Sequence, residues 1–215
     1  MNKIVIFDLD GTLIDSIQDI TDAMNKMLIS NGFKAVSERQ MKLNLGGSSR
    51  EIVRLSIGEQ ISEERLTKCE REYTGYYIDA KSPKTRPFDG LREVLSELKA
   101  RGYNLVALSN KPDYEIESIF ERVIAPLGLD MTVGLSDKVE PKPNPNGALN
   151  ILKKFAVEKE NAYFVGDGET DVMTAQNAGI ECIAVLWGNR DRAFLEKFGA
   201  KNFAENPKQL LDLIK

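Results

Sequence analysis

The sequence predicts an α/β fold with a parallel sheet at its centre. Three observations predict it. The chain opens on an apolar, β-rich run, Ile4-Val5-Ile6-Phe7, which ends on two carboxylates, Asp8 and Asp10. From Phe88 onward, strand-like runs alternate with helix-like ones. Between these two regions lies a stretch with helical periodicity alone. Alternating strands and helices imply βαβ units and a sheet covered on both faces. The expected architecture is therefore a three-layer parallel sheet, residues 1–14 and 84–215, with a small α-helical module inserted at 15–83.

The bulk properties bound the function. The chain has 215 residues, enough for one large domain or two small ones. Acidic residues number 33 and basic ones 29, with no basic stripe or tail, so nucleic acid is not the expected partner. No apolar run has the length of a membrane span, and the run before Asp8 is too short for a signal-peptide core. A cytoplasmic protein is expected. Cys69 and Cys182 match no metal or redox spacing and read as reduced structural thiols. There is no histidine. That excludes Ser-His-Asp and Cys-His catalysis and His-ligated zinc within this chain. Acid–base work falls to carboxylates, Lys or Tyr. Any metal should be hard and held by oxygens, such as magnesium.

The elements follow in order. After the first strand, residues 17–29 carry helical spacing through Ile17, Ile20, Met24, Met27 and Leu28, with Asp15 or Ser16 as N-cap. Asn31-Gly32 stops that helix. Three further helices are expected over 37–45, 48–57 and 62–80, each opening on a serine. A polar, proline-bearing return follows over 81–87. Helices are then expected over 89–100, 113–124, 144–155, 170–178 and 190–198. Strands are expected over 103–109, 131–134, 162–165 and 180–186, and 207–214 closes the chain.

In a parallel sheet, ligands bind beyond the carboxyl ends of the strands. The polar residues there are Asp8 and Asp10, Ser109 and Asn110, and Asp167 with Asp171, while Lys142 precedes a helix. Asp8 and Asp10 are two residues apart, so a strand would put both on one face. Two such acids repel unless a cation lies between them. Taken singly, Ser109-Asn110 also suits a helix cap, Asp171 a first-turn acid and Lys142 a solvated loop lysine.

Taken together, these residues resemble the haloacid dehalogenase superfamily. Asp8–Thr12 (DLDGT), with Asp15 trailing, matches its first block, and Ser109-Asn110-Lys111-Pro112 its second. Lys142 in Glu140–Pro145 matches the third, and Gly166–Asp171 (GDGETD) the fourth. All four in order are specific in a way that none is alone. The resemblance implies a Rossmann-like core and makes the helical insert the family's small cap. The Asp8/Asp10 pair points to phosphoryl transfer, and the second and fourth blocks look closest to phosphoglycolate phosphatase-like members.

The resemblance implies a magnesium-dependent phosphatase acting on a small phosphorylated metabolite, as a monomer or homodimer. It makes Asp8 the nucleophile of an aspartyl-phosphate and Asp10 the acid and base. Magnesium would be held by the Asp8 and Asp167 carboxylates and the Asp10 carbonyl. Ser109 and Lys142 would bind the phosphoryl oxygens, with donors near Thr12 and Asn110, and Asp171 would orient Lys142 or metal-bound water. Arg50, after the Gly46-Gly47 bend, is either a substrate-binding cap residue or an ordinary exposed helix arginine. Alternatives are a phosphomutase of the β-phosphoglucomutase type and a phosphoacceptor signalling domain. Receivers of the latter kind lack a helical insert.

Overall fold

The computed structural model describes residues 2–215. The elements are β1 (Lys3–Phe7), β2 (Ile14–Asp15), α1 (Ile17–Ser30), α2 (Glu38–Asn44), α3 (Ser49–Ile57), α4 (Glu63–Ala80) and β3 (Arg86–Pro87). Then come α5 (Leu91–Ala100), β4 (Tyr103–Pro112), α6 (Asp113–Ile119), β5 (Met131–Leu135), α7 (Asn146–Phe155), β6 (Ala162–Gly166) and α8 (Glu169–Ala178). The chain closes with β7 (Glu181–Val185), α9 (Arg192–Lys197), β8 (Asn202–Ala204) and α10 (Leu210–Leu213).

Six strands form one parallel sheet in the order β5-β4-β1-β6-β7-β8. β1 is central, and its four apolar residues are fully buried. Alternation divides them between the faces. Val5 and Phe7 pack with Leu91, Leu95 and Ile116, from α5 and α6. Ile4 and Ile6 pack with Ile151 and Ala175, from α7 and α8. A fully buried side chain of this size contributes about 1.5–3 kcal/mol. This is the three-layer architecture that the alternation of elements predicts.

The four helices after β2 have an apolar cluster of their own, including Met24, Met27, Met41, Val53, Leu66 and Tyr77. Their starts are fixed locally. Ser37, Ser48 and Ser62 each accept the backbone N–H three residues on, as N-caps do. The two chain crossings into this bundle are tied together. β2 and β3 pair antiparallel, Ile14 with Pro87 and Asp15 with Arg86. Oδ2 of Asp19 then accepts from the backbone of Lys84 and Thr85, at 2.9 and 2.6 Å.

The structure departs from the sequence reading at several places. The helix expected over 113–124 is regular only to Ile119, followed by a wider turn, Phe120–Ile124, and a tight one, Ala125–Leu127. Pro126 has no N–H with which to continue the ladder. The small strands β2, β3 and β8 were too short to show a period of two. Ser16 stands at the N-cap of α1 without capping it, because its hydroxyl donates to Asp10 instead.

Candidate active site

β1 ends at Phe7, so Asp8 and Asp10 lie in the loop beyond it rather than on one strand face. The loop is nonetheless held to the sheet. The Asp8 N–H donates to the Val165 carbonyl at 2.8 Å, and the Gly11 N–H to Ile14 at 2.9 Å. Gly11 has φ of +89°, and a Cβ there would lie 2.4 Å from Oδ2 of Asp167. Only glycine permits both the backbone angle and the approach of that carboxylate.

Asp8, Asp167 and Asp171 converge from the ends of β1 and β6 and the start of α8. One oxygen from each lies within 4.8 Å of the others, and all three residues are buried. Nζ of Lys142 lies 2.6 Å from Asp8 Oδ1 and 2.6 Å from Asp171 Oδ1. Asp171 also accepts the Gly168 N–H at 2.9 Å, which fixes its rotamer as it starts α8. Asp167 accepts the Thr12 hydroxyl at 3.2 Å and the Asn189 N–H at 2.7 Å.

Asp10 lines the same cleft with a separate set of partners. It accepts the Ser16 hydroxyl at 2.5 Å, and its Oδ2 lies 3.1 Å from Nζ of Lys111. Lys111 is buried and also faces Glu115 at 3.7 Å. Ser109, 3 % exposed, lines the cleft as well. Asn110 works through its side chain. Oδ1 accepts the Lys142 N–H at 2.7 Å, while Nδ2 donates to the Lys142 carbonyl at 3.1 Å and the Gly46 carbonyl at 2.9 Å. It fixes Lys142 and, through Gly46, the loop between α2 and α3.

Burial dominates the electrostatics. It pushes the Asp8 carboxyl well above the usual carboxylate range, and Asp171 adds to this while Lys142 opposes it. Burial, then Asp171, pushes Asp167 up to about 6. Burial disfavours the charge on Lys142, but Asp171 and Asp8 outweigh it and hold the ammonium above its ordinary range. Three carboxylates thus face one ammonium, and two formal negative charges are left over. The donors are all oxygens at close quarters, which suits a hard divalent cation such as magnesium.

Two residues of the sequence reading lie elsewhere. Thr12 is fully buried and does not line the cleft; its hydroxyl donates to Asp167, and its N–H lies 3.3 Å from the Leu9 carbonyl. Arg50 faces away, pairing with Glu63 at 2.6 Å and Glu70 at 2.8 Å. Its neighbour Ser49 lines the cleft instead, with Gly46, Gly47, Ile52 and Tyr73. The sequence reading assigned no role to Lys111, Glu115 or Arg190. Lys111 adjoins the Ser109-Asn110 pair at the end of β4, which could have marked it, and Glu115 lies in the first turn of α6. Arg190 carried no such signal. It bonds Glu169 at 2.9 Å and donates to the carbonyls of Lys42, Leu43 and Leu45, closing the C-terminal end of α2.

A family profile of haloacid dehalogenase-like hydrolases matches residues 5–185. The chain belongs to that family and is an enzyme of the hydrolase class. It is 32% identical to the phosphoglycolate phosphatase of Mesorhizobium japonicum, over 88% of this chain and 85% of that protein. It is 29% identical to phosphoglycolate phosphatase 1 of Pseudomonas aeruginosa, over 91% of this chain and 74% of that one. A crystal structure from Lactobacillus delbrueckii subsp. bulgaricus, provisionally assigned as a phosphoglycolate phosphatase, superposes with a TM-score of 0.90 at 28% identity. It covers 100% of this chain and 99% of that one. Among the described residues, no helix is long and apolar enough to cross a membrane.

Proposed function

We propose that the chain is a magnesium-dependent phosphatase that hydrolyses a small, phosphoglycolate-like phosphate monoester through an aspartyl-phosphate on Asp8. The observation that carries this reading is the division of the cleft. Asp8 is clustered with Lys142, Asp167 and Asp171, while Asp10 is held by Lys111 and Ser16. The names of the relatives agree with it.

In this reading, a carboxylate oxygen of Asp8 forms a bond to phosphorus as the ester P–O bond breaks, and Asp10 delivers a proton to the departing oxygen. Water then attacks the aspartyl-phosphate, Asp10 takes its proton, and the Asp8–phosphorus bond breaks. Lys142 and Ser109 neutralise and hydrogen-bond the phosphoryl oxygens. Asp171 and Asn110 hold Lys142 in place from its two ends. The Asp8 and Asp167 carboxylates and the Asp10 carbonyl would hold magnesium, with the Asp171 carboxylate beside them. When bound, the metal supplies the positive charge that lets an anionic nucleophile meet a dianionic substrate. The insert, as a cap over the cleft, excludes water from the reaction.

The test is release of inorganic phosphate from p-nitrophenyl phosphate and from 2-phosphoglycolate, with magnesium and with a chelator. Magnesium-dependent release that Asp8→Asn abolishes, in a variant with an unchanged circular dichroism spectrum, supports the reading. Full turnover by Asp8→Asn overturns it. Isomerisation of a sugar 1-phosphate without phosphate release would make the enzyme a phosphomutase.

A further inference from the structure

The cleft holds a second buried ammonium that the proposed chemistry leaves unused. Nζ of Lys111 lies 3.1 and 3.3 Å from the two oxygens of Asp10, 3.7 Å from Glu115 and 4.4 Å from the centroid of the Tyr77 ring. Its side chain is only 4% exposed, and the residue lines the cleft. Burying an ammonium is costly unless it is paired, so a lysine in this position is held there by its partners.

Two features separate Lys111 from Lys142. The first is its place. Lys142 lies with the nucleophile, whereas Lys111 lies with Asp10, on the side from which the ester oxygen must leave. The second is its support. Glu115, itself 1% exposed, faces Lys111 with Oε2, while its Oε1 accepts the Ser49 hydroxyl at 3.2 Å and the Thr74 hydroxyl at 3.5 Å. Both hydroxyls come from the helical insert. Lys111 is the last residue but one of β4, so neither end of the lysine is free to swing.

We infer that Lys111 is a specificity-determining residue that binds an anionic group on the leaving portion of the substrate, close to the ester oxygen. Glu115 is the positioning residue that aims it. The inference rests on the phosphatase reading and sharpens it. The substrate class becomes phosphate monoesters whose alcohol carries a carboxylate one carbon from the ester carbon or nearer. A neutral alcohol has no use for a desolvated ammonium at this place, whereas a carboxylate gains a charge-assisted hydrogen bond. The cap contributes through Ser49 and Thr74, so selection and closure act on the same lysine.

The experiment compares 2-phosphoglycolate with 2-hydroxyethyl phosphate, which has a hydroxymethyl group in place of the carboxylate. The ratio of their kcat/KM values is measured for the wild type, Lys111→Met, Lys111→Arg and Glu115→Gln. Lys111→Met is expected to lower the ratio by about tenfold or more, as loss of one charged hydrogen bond does. Lys111→Arg should keep most of it. Glu115→Gln should lower it through KM for 2-phosphoglycolate, with kcat less affected. If Lys111→Met is too slow to assay, binding of both esters is measured by calorimetry in the Asp8→Asn background, with and without Lys111→Met. A weakening confined to 2-phosphoglycolate supports the inference. An unchanged ratio, or equal weakening of both esters, overturns it while leaving the phosphatase reading intact. Absence of any magnesium-dependent turnover by the wild type overturns both.

Discussion

Lys142 and Asp8 are 134 positions apart in sequence, yet their side chains meet at 2.6 Å in a buried pair. The same ammonium reaches Asp171 at 2.6 Å. Removing the lysine leaves three buried carboxylates uncompensated, and losing one partner of a buried pair costs about 3–5 kcal/mol. Lys142→Met should therefore lose stability on that scale, read from urea unfolding, as well as activity. Adding Asp8→Asn to it should restore part of the stability, because one of the stranded charges is gone. A Lys142→Met protein as stable as the wild type would show that the carboxylates do not rely on this lysine.

Metal binding and pH should be linked through Asp167. Its carboxyl is pushed up to about 6 in the folded, metal-free chain, against about 3.9 when unfolded. Between these values the folded state binds more protons than the unfolded one, so the stability from this group falls as pH rises through 6. Asp8 acts in the same direction. Magnesium held by these groups would require them ionised and the chain folded, so its stabilising effect should grow over the same range. The rise in Tm on adding magnesium should be larger at about pH 8 than at about pH 5. An equal rise at both pH values would separate the metal from these groups.

Arg190 should act as a latch between α2 and the sheet. It donates to the carbonyls of Lys42, Leu43 and Leu45 while it is paired with Glu169. Arg190→Ala removes these bonds without touching Asp8, Asp10 or Lys142. Hydrogen–deuterium exchange should rise in residues 38–47 and stay unchanged in α1 and α4. Substrate KM should rise by roughly tenfold, in line with a loosened lid. Unaltered exchange in α2 would mean that its position does not depend on the arginine.

Arg50 should matter little for turnover. Its guanidinium is engaged with Glu63 and Glu70 on the outer side of α3, and surface pairs of this kind contribute little. Arg50→Ala should change kcat/KM by less than about threefold. Ser49→Ala touches Glu115 and should have the larger effect on 2-phosphoglycolate.

Much of this site was legible because it lies on local signals. The apolar run before Asp8, the alternation after Phe88 and the three serines that open α2, α3 and α4 each act within a few residues. The order in which Asp8, Ser109, Lys142 and Asp167 occur was enough to bring the family into view. What escaped was set by distance. Arg190 meets α2 across 145 to 148 positions. Lys111 finds Asp10 across 101. Neither pairing leaves a trace in the residues on either side.

The neighbours Ser49 and Arg50 mark the boundary between the two kinds of information. The sequence by itself determined that a helix begins there, since Ser48 caps it and Gly58 ends it. It did not determine which residue would face the cleft. Successive side chains on a helix point about 100° apart, so one residue of rotation exchanges a serine for an arginine. The packing of Ile52 and Val53 against the rest of the bundle sets that rotation. It turns Ser49 towards Glu115 and Lys111 and Arg50 towards α4. The carboxylates of the cleft were written in the sequence by strand ends and turns, whereas the Lys111, Glu115 and Ser49 contacts came only from how the helices pack.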